Sequence, residues 1–190
     1  MIATSSERGA HEHAVAVWWQ IVGSYGDKEP VILKSHLPLT TDFGLVRFAR
    51  QSDAERIVEM AGKLANHHGD TPTLTVDDLI RDISGENPWL YVLVAESDGE
   101  LVGYAALCQL TRLQFGLRGM DMHHLFTEAS LRRQGIGHSL VNACKIMARA
   151  LSCSYMTVGT HPDNHKTQAF YEKLGFERRD AHPPRFAIQL

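Results

Sequence analysis

Arg132, Arg133, Gly135 and Gly137 fall together in LRRQGIGHSL, residues 131–140, where an apolar helical pattern begins. A helix N-terminus leaves its first amides without intrahelical partners, and glycine lacks the Cβ that would hold an anionic oxygen off the backbone. These residue types therefore suit capture of a phosphate-like anion, with two guanidinium groups adding charge nearby. Taken alone, a GxG stretch more often only turns the chain. Two other phosphate loops do not match: GxxxxGK[ST] is absent, and Leu140 stands where GxGxxG needs its third glycine.

A second stretch, NHKTQAFYEKLGF (164–176), has the marks of a complete short helix. Asn164 can cap its start, Phe170 and Leu174 can bury one face, and Gly175 can end it. Asn164, Gln168 and Tyr171 recur at i, i+4 and i+7, which lines three polar groups along one face. On spacing alone, Tyr171 reads as an amphipathic core residue with its hydroxyl at the rim.

The elements that position these residues form a mixed α/β pattern. FGLVRFAR (43–50) predicts a strand, and Ser52 with Glu55 predicts a capped helix reaching about Asn66. Thr75 with Asp78 repeats the start signal, and Gly85 and Pro88 close that second helix. WLYVLVAE (89–96) and ELVGYAALCQL (100–110), joined by Ser97, Asp98 and Gly99, predict a hairpin. GMDMHHLFT (119–127) predicts the strand that enters the glycine turn. A helix from about Gly137 to Leu151, a strand in SYMTVGT (154–160), the helix from Asn164 to Leu174, and strands near Phe176 and in RFAIQL (185–190) complete the order. The pattern predicts a mixed, mostly antiparallel sheet of about six or seven strands flanked by about four helices.

With 190 residues and 44% hydrophobic content, the chain is long enough for one domain with a proper core. Its formal charge of −3 gives no overall attraction to nucleic acid or an anionic membrane. Three cysteines without CxxC spacing, Cys108, Cys144 and Cys153, argue against a disulfide framework or zinc site and fit a reducing cytoplasm. AVAVWWQIV (14–22) is too short to span a bilayer and lacks a positively charged leader. It reads as an amphipathic helix within an N-terminal extension, residues 1–42, that packs on the domain or on a second subunit. The histidines of HEH (11–13) and NHHGD (66–70) lack metal-ligand spacing. Asp77, Asp78 and Asp82 read as a solvated run, with attraction of a cationic acceptor as the alternative.

RxxGxG (Arg132, Gly135, Gly137) after a strand, followed some thirty residues later by NHKTQAFYEKLGF, resembles the GNAT superfamily of acetyl-CoA-dependent N-acetyltransferases. The resemblance covers Phe43 to Leu190 and implies acetyl transfer to a primary amine by direct attack in a ternary complex, with no metal. It implies that the amides of Gly135, Ile136, Gly137 and His138, with Arg132, Arg133 and Gln134 beside them, receive the coenzyme A pyrophosphate. Backbone groups of Leu125, Phe126 and Thr127 would hold the pantetheine arm, and Asn164 and Tyr171 would flank the cofactor. Arg133 stands where the family often has another glycine.

The family's tyrosine at the Tyr171 position protonates the departing thiolate. An attacking amine must also lose its proton, and the family usually recruits a base from the strand before the turn. Simple alternation places Asp121, His123 and Leu125 on one strand face and Met122, His124 and Phe126 on the other. His123, of a residue type that changes charge in the neutral range, ranks ahead of Asp121 as base. A half-buried histidine satisfied by backbone is the alternative. Two rival readings of the whole chain are a non-catalytic acyl-CoA-binding module and a regulatory domain using Trp18 and Trp19 as anchors. A homodimer through the extension or the last strand is compatible with any of them.

Overall fold

The computed structural model describes residues 37–85 and 88–179. They fall into two compact units that divide between Val158 and Gly159. The stretches 14–22 and 185–190 lie outside the described residues.

In the first unit, six strands form one sheet in sequence order. They are β1 (Leu39–Thr41), β2 (Gly44–Phe48), β3 (Tyr91–Ser97), β4 (Glu100–Arg112), β5 (Leu117–Thr127) and β6 (Tyr155–Val158). Each pairs antiparallel with the next except β5 and β6, which run parallel. The β3–β4 hairpin closes through Asp98 and Gly99, both at positive φ, the backbone of a two-residue turn whose twist matches its strands. A parallel step needs a long crossover, and α3 (Ile136–Ala150) supplies it. The sheet begins earlier than Phe43: Leu39 pairs with Val46, so the end of the segment read as an extension is already β1.

Helices cover both faces of the sheet. Val92, Val94, Tyr104, Ala106 and Phe126 pack in one cluster with Ile57 and Met60 of α1 (Ala54–His68) and Leu79 of α2 (Val76–Ile83). The alternate strand positions face α3. A Cβ at Gly103 would meet Ile136 and Leu140 side-chain atoms at 3.4 Å, so the helix start lies directly on β4. Cys144 is fully buried in α3 and burial pushes its thiol up to about 12, which fits a small core residue.

The second helix starts as expected, with Thr75 Oγ1 accepting the Asp78 N–H at 3.1 Å. The first does not start at Ser52. Residues Gln51–Asp53 make a 3-10 turn, and the Asp53 carboxylate accepts the Arg50 N–H at 2.6 Å. Asp53 takes this place because it also holds Arg47, which donates to its two oxygens at 2.7 and 3.0 Å. Arg47 donates further to Glu96 at 2.7 Å and to the Phe48 carbonyl at 3.0 Å, so a nearly buried guanidinium joins β2, β3 and the start of α1. Farther along α1, Arg56 and Lys63 donate to one oxygen of Glu128 at 2.7 and 2.8 Å. Glu128 immediately follows β5, and its N–H bonds Val102 O at 2.9 Å. No helix of the described residues is long and apolar enough to cross a membrane.

Burial pushes the Asp53 carboxyl up, but the Arg47 and Arg50 hydrogen bonds and charges outweigh it and hold the group below the usual carboxylate range. Its contribution is therefore present above the unfolded carboxylate pKa and lost as pH falls through the depressed folded value. Asp53→Ala is expected to cost about 3 kcal/mol in urea unfolding at neutral pH, because it strands Arg47 with only Glu96 as counter-charge. Between neutral pH and about pH 3 the variant should lose less stability than the parent.

Candidate active site

The turn between β5 and α3 is built to leave amides open. After Arg132 in extended conformation, Arg133 has φ +68° and Gly135 has φ +86° as the N-cap of α3. No side chain caps the helix, and the first turn closes only where Ser139 N–H meets Gly135 O at 2.9 Å. The amides of Ile136, Gly137 and His138 therefore precede the helical ladder. Nothing lies within 4 Å of the position a Gly135 Cβ would take, so an anion can approach that backbone. Arg132, Arg133, Gln134 and His138 are exposed around it, and Arg132 Nε reaches Thr127 O at 3.4 Å. Arg133 adopts the left-handed backbone that glycine takes more readily, at a cost of roughly 1 kcal/mol. This donor set fits a diphosphate: uncapped amides at the positive end of a fifteen-residue helix, with exposed guanidinium groups beside them.

Strand β5 is paired unevenly. Its antiparallel ladder with β4 runs through Thr127, whereas its parallel ladder with β6 runs only from Gly119↔Tyr155 to Met122↔Val158. The half from His123 to Thr127 thus has no β6 partner along its other edge. Because Glu128 N–H points to Val102 O, strand alternation turns the peptide groups of Leu125 and Thr127 toward that unpaired edge.

The β4–β5 register also slips once. Ala106 pairs with His124 but Leu107 pairs with Met122, leaving His123 as the extra residue of a β-bulge. Simple alternation consequently fails in β5. Asp121, His124 and Phe126 lie opposite Cys108, Ala106 and Tyr104, on the face toward α1 and α2. Met122 and Leu125 lie opposite Leu107 and Ala105, on the α3 face. The bulge sets the His123 ring beside that of His124, with centroids 4.7 Å apart and planes 13° from parallel.

The two imidazoles differ in their surroundings. His123 is exposed, and His124 is half-buried with Nδ1 2.9 Å from Tyr104 Oη. Burial, then the neighbouring His123 and His68, lower His124 to about 4, so it is neutral at physiological pH. Tyr104 is 1% exposed, and burial raises its phenol above the ordinary value. Asp121 is half-buried and accepts the Thr157 hydroxyl at 2.6 Å. The sequence reading missed His124 and Tyr104. Their signal was the histidine doublet in an otherwise apolar strand, where strict alternation would drive one imidazole among the side chains beneath α3.

In the second unit, α4 spans His165–Lys173 and Asn164 caps it, its Oδ1 accepting the Thr167 N–H at 3.2 Å. Gln168 does not extend a polar stripe, because its amide donates back to Pro162 O at 2.5 Å and His161 O at 3.3 Å. Tyr171 is the buried residue of this helix, and its ring lies 5.3 Å from Phe170 and 5.6 Å from Phe176 between centroids. Phe176 begins no strand: its N–H closes the helix end on Tyr171 O at 3.1 Å, and residues 176–179 have no regular structure. Within the acidic run of α2, Arg81 pairs with both Asp78 and Asp82 at 2.9 and 2.8 Å. His67 and His68 fall in the last turn of α1, which ends two residues past the predicted end near Asn66.

Comparison with known families matches residues 54–176 to the acetyltransferase (GNAT) family. The chain belongs to the GNAT family. The matched stretch holds both motifs, from the start of α1 through the turn at Gly135 to Phe176. An N-acetyltransferase of Bacillus subtilis strain 168, YhfO, whose activity is uncharacterised, is 26% identical over 132 residues, covering 70% of this chain and 89% of that protein. Among solved structures, a probable acetyltransferase aligns at TM-score 0.65 and 20% identity over 76% of this chain and 97% of its own. The aminoglycoside acetyltransferase meta-AAC0020 from an uncultured soil metagenomic sample, crystallised with sisomicin, aligns at TM-score 0.63 and 16% identity over 76% and 95%. These two share the fold. As a GNAT member the protein is an acetyltransferase.

The bulge makes a direct prediction for this GNAT sheet. Deleting His123 leaves Met122 and His124 consecutive opposite Leu107 and Ala106, a regular ladder, so the core register survives. The deletion variant is expected to unfold cooperatively within about 1 kcal/mol of the parent. A loss of the folded circular-dichroism spectrum would contradict this register.

Proposed function

We propose that the protein transfers the acetyl group of acetyl-CoA to a primary amine by direct attack within a ternary complex. The observation that carries this reading is the uncapped N-terminus of α3, where Gly135 in left-handed conformation leaves three amides open to an anion. Ile136, Gly137 and His138, with Arg132, Arg133 and Gln134, would hold the pyrophosphate. The edge of β5 away from β4 offers the backbone groups of Leu125 and Thr127 for the amide-bearing arm, with Phe126 between them turned to β4, as strands offer such groups to an added strand. Bound there, acetyl-CoA supplies an activated thioester.

The remaining steps belong to the chain's own side chains. An ammonium has no lone pair, so the acceptor must first lose a proton, and His123 takes it. Asp121 ranks second because Thr157 already engages its carboxylate. The amine nitrogen then bonds to the acetyl carbon as the carbon–sulfur bond breaks. Tyr171 gives its proton to the leaving sulfur, and the second proton of the attacking nitrogen, lost as the amide forms, returns to the phenolate. The role of Tyr171 is drawn from its place in the family motif, as is that of Asn164 beside the cofactor.

Release of free thiol from acetyl-CoA, measured against polyamines, amino acids, aminoglycosides and lysine peptides, tests the activity; no turnover with any amine, together with no coenzyme A binding, would sink the proposal. Gly135→Val is expected to weaken coenzyme A binding roughly tenfold or more, since it puts a branched side chain where the anion approaches. Tyr171→Phe should lower kcat by about 10²-fold or more with coenzyme A affinity nearly unchanged. Parental kcat in that variant would move the acid to another residue.

A further inference from the structure

The mechanism leaves His124 and Tyr104 without a part, although they form a buried polar pair directly against the assigned base. Tyr104 is 1% exposed, so its hydroxyl proton needs a protein acceptor, and His124 Nδ1 at 2.9 Å is the partner that the described residues provide. With Nδ1 accepting, the single proton of the neutral ring must sit on Nε2. A second proton could enter only at Nδ1. That would turn the bond round and leave the buried Tyr104 proton without an acceptor, which opposes a charge on His124 by geometry.

We propose that Tyr104 locks His124 as a neutral, Nε2-protonated ring, and that this ring is a positioning residue fixing the plane of His123. The proposal rests on His123 being the base. Two adjacent imidazoles 4.7 Å apart and nearly parallel would otherwise share protons, and neither would be a dependable acceptor near neutrality. The bulge that stacks them is what makes the lock necessary. The groups that act on His124 are Tyr104 from β4, His123 beside it on β5 and His68 from the end of α1. Asp121, on the same face of β5, is held by Thr157. Burial and the two neighbouring histidines push His124 in the same direction as the lock.

Long-range proton–nitrogen NMR of the ring nitrogens reads tautomer and charge in the parent protein, with His124→Asn assigning the signals. The expected result is a proton on Nε2 of His124, unchanged from about pH 8 to about pH 5. A proton on Nδ1, or titration of His124 in that window, would overturn the lock. Tyr104→Phe keeps the packing and removes the hydroxyl. It should free Nδ1 of His124, so that the proton is no longer confined to Nε2, and lower kcat with KM for both substrates unchanged. A ring still protonated only on Nε2 together with a parental kcat overturns the positioning role. His123→Gln separates the two levels: parental turnover there refutes the base assignment itself, whereas loss of turnover with a titrating His124 in the parent refutes only the lock.

Discussion

Strand β5 must satisfy a full antiparallel ladder with β4 while its parallel partner β6 ends halfway, and the rest of the site depends on that inequality. A strand paired on both sides has no backbone groups to give a ligand. Among the described residues the segment from His123 to Thr127 has no strand partner on the edge away from β4, and a 3-10 turn at Ala129–Leu131 leads from it to the Gly135 cap of α3. Strand amides and helix amides thus follow one another along the chain. The bulge falls at the start of this half-paired segment, where one extra residue disturbs only the β4 ladder.

Charged contacts hold the frame around it. Arg47 ties β2 and β3 to the start of α1, and Arg56 in the first turn of α1 and Lys63 farther along pin the helix to Glu128. Glu128 is the first residue beyond β5, so the ion cluster and the Val102 hydrogen bond fix where the chain leaves the sheet before the glycine turn. The Arg47 cluster is nearly buried, and its carboxylates answer most of the guanidinium's donors, which is the condition under which a buried charge is tolerated. The Glu128 cluster is more exposed, and its role is geometric more than energetic.

Acetyl transfer to an amine asks little of the protein beyond an anchored donor, a proton acceptor and a proton source. In the proposed reading the first demand is met with backbone, which carries no net charge and needs no particular side chain. The α3 turn shows the tolerance this gives: Arg133 occupies a left-handed position and the open amides remain. Proton handling through His123, as proposed, is less tolerant, because it depends on which ring carries which proton.

Much of this was legible along the chain because it is local chemistry. The Asp98–Gly99 hairpin, the Thr75 capping box, the Asn164 cap and the glycine turn each need only a few neighbouring residues to define them. Readings failed where the deciding partner lay outside the short motif itself. Ser52 lost the helix start to Asp53 because Arg47 on β2 held Asp53, and Gln168 turned back to carbonyls of the preceding loop. The two-residue period of β5 broke because the register with β4 slipped by one residue, and no property of GMDMHHLFT alone states where its partner strand gains or skips a place. By itself the sequence determined the residue types, the caps and the order of elements, since these follow from short-range sterics and hydrogen bonding. Only the tertiary structure decided that His123 and His124 share one side of the sheet, because facing is set by inter-strand pairing, a long-range constraint satisfied by the whole sheet at once.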